Sequence, residues 1–196
     1  MGRKLFVKCI LMIFVLTMIA CSGLRFSQLA PEAKDFHPQK VAIFPVEVWN
    51  YEEARGVVEQ LVADTLIEKK WFADIIDTGR LNRQLLTNEE LRKAMTEYLS
   101  KLRTVNFSDP DLSNTIGELA KVDAFLLVSI DSWNYAVEKD KKVAKVSMVV
   151  KLYEASTGKM MWKAGHQIAD SYTFFKPDLP KVARNVVSEM VGYMPH

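Results

Sequence analysis

The segment Ile75–Gly79 contains the combination of residue types most suggestive of chemistry in this chain. Two apolar residues there precede Asp77, Thr78 and Gly79. An aspartate held in a tight turn can promote hydrolysis of a peptide bond when a second carboxyl group shares its proton. Peptide hydrolysis that uses Asp77 is therefore one hypothesis, with Glu189–Gly192 as a second apolar-apolar-Gly segment.

The Asp77 segment resembles retroviral-type aspartic proteases, but its surroundings differ from theirs. Arg80 follows where alanine or serine is usual. The chain is also rich in amphipathic helical patterns, whereas that protease fold is nearly all β. A strand that ends at Gly79, with Asp77 or Thr78 capping the next segment, is the alternative interpretation. We therefore expect no catalytic residue and keep the protease as an alternative function.

The remaining reactive side chains are few and scattered. The three histidines are His37, His166 and His196, and only His166 lies in a predicted strand. The sequence contains no HExxH motif, no glycine-rich phosphate loop and no paired-cysteine spacing. We expect neither a metal nor a cofactor.

The amino terminus has the organisation of an export signal. Arg3, Lys4 and Lys8 precede an apolar stretch, Cys9–Ala20. A membrane-spanning helix needs about 20 apolar residues, so this stretch is too short for one. A positive start, a short apolar region and small residues at the end predict a secretory signal peptide over residues 1–20. An ordinary cleaved signal or an uncleaved anchor are the alternatives.

The segment Met18–Cys21 resembles the lipobox of bacterial lipoproteins, in which the cysteine is diacylated and becomes the first residue. This resemblance implies lipidation at Cys21, and Ser22 implies sorting to the outer membrane, facing the periplasm. Two acyl chains are sufficient for stable anchoring. The chain has only two cysteines, and Cys9 leaves with the signal, so the mature protein would have no free thiol.

Residues 21–39 show no clear periodicity and contain Pro31 and Pro38. We interpret them as the lipidated cysteine and a flexible tether, which could extend roughly 60 Å. Residues 40–196 then form a single domain. The 26 basic and 24 acidic side chains nearly balance, so nothing in the charge favours binding to nucleic acid.

The periodicity from residue 40 onward predicts the element order β-α-β-α-α-β-β-β-α. We expect an α/β (α+β) fold with a mixed sheet of about five strands, a C-terminal antiparallel meander and helices packed on the sheet. Asp109 is the predicted N-cap of one helix, with Pro110 at its first position. The expected meander strands are 124–135, 143–154 and 159–169.

Three segments carry a resemblance to one group of envelope lipoproteins: Val41–Pro45, Leu119–Leu126 and Glu154–Trp162. The group includes the curli-secretion channel lipoprotein, the outer-membrane lipoprotein activator of penicillin-binding proteins and small lipoproteins of unassigned role. The resemblance implies a shared fold and no reaction, and the chain is most similar to the small unassigned lipoproteins.

These observations favour a non-catalytic accessory or assembly factor that binds another envelope protein. Trp133, which shares an alternating face with Ser129 and Asp131, is one candidate for the partner surface. A helix containing Leu91, Met95 and Tyr98 is the other. A homo-oligomeric secretion channel or ring subunit is the alternative to this function.

Overall fold

An antiparallel meander of three long strands organises the fold of this protein. The computed structural model describes residues 24–196, and the meander consists of β4 (Ala124–Glu138), β5 (Lys141–Glu154) and β6 (Met160–Tyr172). β4 and β5 are joined by Lys139 and Asp140, whose φ angles are 49° and 62°. Positive φ at both turn residues gives the twist that suits a two-residue hairpin. The predicted meander is confirmed.

Three short strands complete the sheet: β1 (Phe26–Leu29), β2 (Lys40–Ile43) and β3 (Asp74–Ile76). The strand order is β1-β6-β5-β4-β2-β3. β2 runs parallel to both β3 and β4, and the other pairs are antiparallel. The sheet is therefore mixed, as predicted, but it has six strands where about five were expected.

The extra strand corrects the prediction of a flexible tether over residues 21–39. β1 pairs with β6, with Phe26 opposite Gly165 and Leu29 opposite Trp162. A 3-10 turn over Pro31–Asp35 follows and buries Ala33. The described part of the proposed tether therefore belongs to the domain. Sequence periodicity misses β1 because a four-residue edge strand with mostly exposed side chains has no apolar alternation.

Five α-helices pack on this sheet within the described residues. They are α1 (Arg55–Lys69), α2 (Thr78–Thr87), α3 (Glu89–Val105), α4 (Pro110–Ala120) and α5 (Leu179–Val191). α1 and α5 cover one face of the sheet, and α2, α3 and α4 cover β2 and the start of β4 on the other face. The α/β class is confirmed, although α2 was not predicted.

The two faces of the sheet form separate apolar cores. On the α1 and α5 side, alternate residues of β5 are buried against the helices. On the other side, Phe125 is the centre of an aromatic cluster. It stacks on Phe44 at 4.6 Å and on Tyr153 at 5.9 Å between ring centroids. Tyr98 meets Phe125 edge-on at 5.3 Å. Such aromatic contacts add to the stability gained by burial alone.

No helix within residues 24–196 is long and apolar enough to cross a bilayer. The predicted signal peptide and Cys21 lie outside the described residues. Their processing and lipidation therefore stay predictions.

Candidate functional site

The helix predicted to bind a partner uses the named residues for core packing. Leu91, Met95 and Tyr98 are 0, 4 and 0% exposed. The Tyr98 hydroxyl lies 2.8 Å from Ser108 Oγ, and burial raises the pKa of Tyr98. The apolar stripe of α3 is therefore satisfied by the sheet. The prediction that these three side chains form a partner surface does not fit their burial in the folded chain.

Trp133 is also buried, because β4 contains a bulge. Simple alternation predicts that Trp133 shares a face with Ser129 and Asp131. The register of β4 shifts between Ile130 and Ser132, so one extra residue is accommodated there and the faces exchange. Trp133 consequently lies on the same face as Ile130 and is 5% exposed. It belongs to the core under α1 and α5, and the predicted partner role is corrected.

Asp77 acts as a helix cap in this structure. Its carboxylate accepts a hydrogen bond of 2.7 Å from the backbone N–H of Arg80 and so caps α2. The Arg80 guanidinium donates to both carboxylate oxygens of Asp74, at 2.7 and 3.0 Å. This pair lowers the pKa of Asp74. Asp77 therefore occupies the capping position that the alternative interpretation gave it.

His166 is the histidine with the most enclosed environment. It lies on β6 and is 1% exposed, with Nε2 3.0 Å from the carboxylate Oε2 of Glu189 on α5. A side chain this buried has no access to a substrate in solution. Among residues 24–196, no group of three His, Cys, Asp or Glu side chains is placed to hold a metal ion.

The motif residues shared with envelope lipoproteins have structural roles. Asp123 accepts hydrogen bonds of 2.8 Å from the backbone N–H groups of Gln39 and Lys40, which joins the start of β2 to that of β4. Gly158 has φ 67°, a conformation that favours glycine. Trp162 is 1% exposed, and its Nε1 donates to Ser27 Oγ of β1 at 2.9 Å. These residues therefore contribute to the fold.

Trp49 is the tryptophan that the fold leaves exposed. Its residue exposure is 76%, and its backbone φ is 48°. A non-glycine residue in this left-handed region is disfavoured by about 1–2 kcal/mol. Backbone strain of this kind persists only where the surrounding structure enforces it, and it concentrates at functional sites. Five other non-glycine residues of the described chain also have positive φ, but Trp49 is the one among them with a large, exposed apolar side chain, so it is the strongest candidate for a recognition residue.

The backbone on both sides of Trp49 is firmly held. The Glu47 N–H donates to Val128 O at 2.9 Å, and the Glu47 carbonyl accepts from Ile130 N–H at 2.8 Å. These bonds attach the segment to β4. After Trp49, the Tyr51 N–H donates to Val48 O at 2.7 Å and closes a turn. The indole is thus presented on a rigid support, which lowers the entropy lost when it binds.

Two arginines, Arg55 and Arg103, line the same cavity as Trp49, and its volume is about 280 Å³. Arg103 Nε donates to Glu47 Oε1 at 2.5 Å. Arg55 donates to Val46 O at 2.7 Å and to both carboxylate oxygens of Glu52, at 2.7 and 2.9 Å. The hydrogen bonds between these two side chains raise the pKa of Arg55 and lower the pKa of Glu52. The cavity is lined by Pro45, Val46, Glu47, Val48, Trp49, Arg55 and Arg103.

No pattern in the sequence singles out Trp49. Its position was nevertheless informative, because Trp49 follows β2, a parallel strand, and precedes α1. Open α/β sheets place ligand sites at the carboxyl ends of such strands. Arg55 and Arg103 could not have been assigned in this way, since they come from different helices that only the tertiary structure brings together.

Comparisons with solved structures show which known folds this one is similar to. The PelC dodecamer from Paraburkholderia phytofirmans matches with a TM-score of 0.54 and 15% identity, over 85% of this chain and 92% of that one. A hypothetical protein from Chlamydia trachomatis, CT253, matches with a TM-score of 0.52 and 11% identity, over 78% and 93% of the two chains.

Protein XCC0632 from Xanthomonas campestris, assigned to the family DUF330, matches with a TM-score of 0.51 and 9% identity, over 85% of this chain and 88% of that one. At these identities the similarity is one of fold. No protein-family model matches the chain, and no curated protein does. The relation to the curli channel lipoprotein and to the activators of penicillin-binding proteins stays a resemblance of motifs.

Proposed function

We propose that this protein is a non-catalytic envelope lipoprotein that binds another envelope protein through the surface around Trp49. Cys21 would anchor it in the outer membrane, facing the periplasm. The observation that carries the proposal is a rigidly held tryptophan, 76% exposed and in a disfavoured backbone conformation. About three quarters of Trp49 is exposed in the free chain, so a partner that covers the indole gains the free energy of burying it.

The composition of the Trp49 surface fits protein recognition better than binding of a metabolite. Tryptophan and arginine are the side chains most enriched at the energetic centres of protein interfaces, and here Trp49, Arg55 and Arg103 line the same cavity. The cavity of about 280 Å³ is slightly smaller than the roughly 300–1,000 Å³ typical of small-molecule sites. It has room for one or two side chains of a partner.

Site-specific photocrosslinking in intact cells tests the Trp49 surface. A photoreactive phenylalanine analogue would replace Trp49 in the full chain, and the matched control would carry it at Leu86, which is 86% exposed on α2. We expect a reproducible adduct with one envelope protein from position 49 and none from position 86. Equal labelling from both positions, or none from position 49, would contradict the proposal.

Mass spectrometry of the mature protein tests the anchor separately. We expect the amino terminus to be Cys21 bearing a diacylglyceryl thioether, and the protein to sediment with the outer membrane. A Cys21→Ser variant should lose both properties. A first residue other than Cys21, without lipid, would refute the anchoring part of the proposal while leaving the crosslinking result interpretable.

A homo-oligomeric ring is the second candidate function. It is supported by the similarity of the fold to that of a protein crystallised as a dodecamer. Light scattering on the lipidated protein in detergent measures the oligomeric state directly. A stable multimer whose subunits crosslink to one another from position 49 would favour the ring, and a monomer would count against it.

A further inference from the structure

Two neighbouring phenylalanines are the most exposed large apolar side chains of residues 24–196. Phe174 and Phe175 are 90 and 92% exposed, and they lie just after β6. Val137, near the tip of the β4–β5 hairpin, is 70% exposed. Lys142 pairs with both Val137 and Tyr172, which places the hairpin tip and the end of β6 at the same end of the sheet. We call this end, with Val137, Phe174 and Phe175, the aromatic end.

The loop that carries the two phenylalanines is held to the sheet. The Tyr135 hydroxyl donates a hydrogen bond of 2.9 Å to Pro177 O. The Lys176 ammonium lies 3.5 Å from the centroid of the Tyr135 ring, a cation–π contact. Tyr172 meets Tyr135 edge-on at 6.2 Å. Both sides of the loop are thus fixed, and the phenylalanine rings between them are presented to the outside.

The first described residues lie beside β6. β1 is antiparallel to β6, with Phe26 opposite Gly165, and Arg25 Nη1 lies 3.5 Å from Gln167 Oε1. Cys21 is three residues before Leu24 and can therefore lie at most about 10 Å from it.

Tyr172, at the aromatic end, is five residues beyond Gln167 along β6, about 17 Å. This distance is about 7 Å more than Cys21 can span from Leu24. Insertion of the two rings about 5–10 Å into the bilayer accommodates the difference, so one bilayer can hold the lipid on Cys21 and contact Phe174 and Phe175.

We infer that the aromatic end docks on the bilayer surface, with Phe174 and Phe175 inserted at the boundary between headgroups and acyl chains. The inference rests on the proposed anchoring through Cys21. Phenylalanine is among the side chains that interfacial segments bury about 5–10 Å into this boundary. Because β1 binds to the sheet directly, the anchor holds the body at the membrane, and the two rings fix its orientation.

The charges at the aromatic end decide what kind of bilayer it contacts. The hairpin tip has three lysines, Lys139, Lys141 and Lys142, against two acids, Glu138 and Asp140. A net charge of about +1 gives little attraction to anionic lipid, worth about 1 kcal/mol per unpaired lysine. Docking is therefore driven by the apolar rings and is insensitive to salt and to the fraction of anionic lipid.

Spin labelling of the mature, lipidated chain tests this orientation. With Cys21 acylated, a Phe174→Cys variant has a single reactive thiol, and a nitroxide attached there reports its depth in phosphatidylethanolamine–phosphatidylglycerol vesicles. We expect the ratio of collisions with oxygen to collisions with a water-soluble nickel complex to be several-fold higher at position 174 than at Leu86→Cys, the control. Phe175→Cys should behave as Phe174→Cys does.

Three results would overturn the inference, and they are distinguishable. A lipidated sample in which position 174 is as accessible to nickel as position 86 refutes the docking alone. Spectral broadening that disappears on dilution with unlabelled protein shows that a second copy covers the rings. Absence of the diacylglyceryl group on Cys21, measured on the same sample, refutes the proposed anchoring together with the inference.

Discussion

Trp49 and Trp162 show how one residue type serves two purposes in this molecule. Trp162 is 1% exposed, packs in the core under α1 and α5 and donates its indole N–H to Ser27. Trp49 is 76% exposed in a strained backbone conformation and has arginines beside it. The first stabilises the sheet, and the second lowers the stability of the free chain. Under the proposed function, this difference separates a tryptophan that stabilises the fold from one that is available to a partner.

The largest effect is expected for Trp162, the buried tryptophan of the comparison. Trp162→Ala removes a fully buried ring and its hydrogen bond, so we expect the free energy of unfolding to fall by about 3–5 kcal/mol. Urea denaturation of the chain measures the loss. Ser27→Ala removes only the hydrogen bond and should cost about 1 kcal/mol. Equal losses in both variants would show that the hydrogen bond dominates over the packing.

The second prediction concerns the aromatic cluster around Phe125, which contains Tyr153 and also Tyr98, one of the side chains predicted to contact a partner. Burial raises the pKa of Tyr153 to about 12, against about 10 in the unfolded chain. The unfolded state therefore loses its proton first, and stability falls by about 1.4 kcal/mol per pH unit for this tyrosine between pH 10 and 12.

Unfolding measured across this pH range tests the burial of Tyr153. Tyr153→Phe should remove its share of the decline, while Tyr193→Phe, at a residue that is 56% exposed, serves as the control. Identical pH profiles for the three proteins would mean that the Tyr153 environment is wetter than the structure shows.

The third prediction concerns Trp49, where a substitution is expected to raise the stability of the free chain instead of lowering it. Trp49→Gly relieves the left-handed backbone, so the free chain should become more stable by up to about 1 kcal/mol. The same change should abolish capture of the crosslinked partner. Leu86→Ala, at another exposed apolar side chain, should leave capture unchanged. A Trp49→Gly protein that is destabilised and still binds would contradict the proposed role.

The smallest effect is expected at the bulge of β4, which sets the face of the strand on which Trp133 lies. Deleting Asp131 leaves Ile130 and Ser132 in their present register with β5, so Trp133 should stay buried and stability should change by less than about 1 kcal/mol. Thermal unfolding measures the difference. A loss of 3–5 kcal/mol would indicate that Trp133 has left the core and that the bulge does not control its face.

The sequence alone determined the features that depend on local amphipathicity. The α/β class, the C-terminal meander and the capping of α4 by Asp109 follow from periodicity and from cap chemistry, and the structure confirms them. These signals are local, since a side chain's position relative to its own helix or strand repeats every few residues.

The tertiary structure alone decided the pairing of β1, the face on which Trp133 lies and the exposure of Trp49. β1 is short and lies at an edge, so it has no legible period, whereas α2 places Leu81 and Leu85 one turn apart against the core, a local signal that the prediction missed. The bulge in β4 moved Trp133 to the other face, and α3 turned its apolar stripe to the sheet. Periodicity shows which apolar side chains need to be buried, but long-range packing decides whether the same chain or a partner buries them.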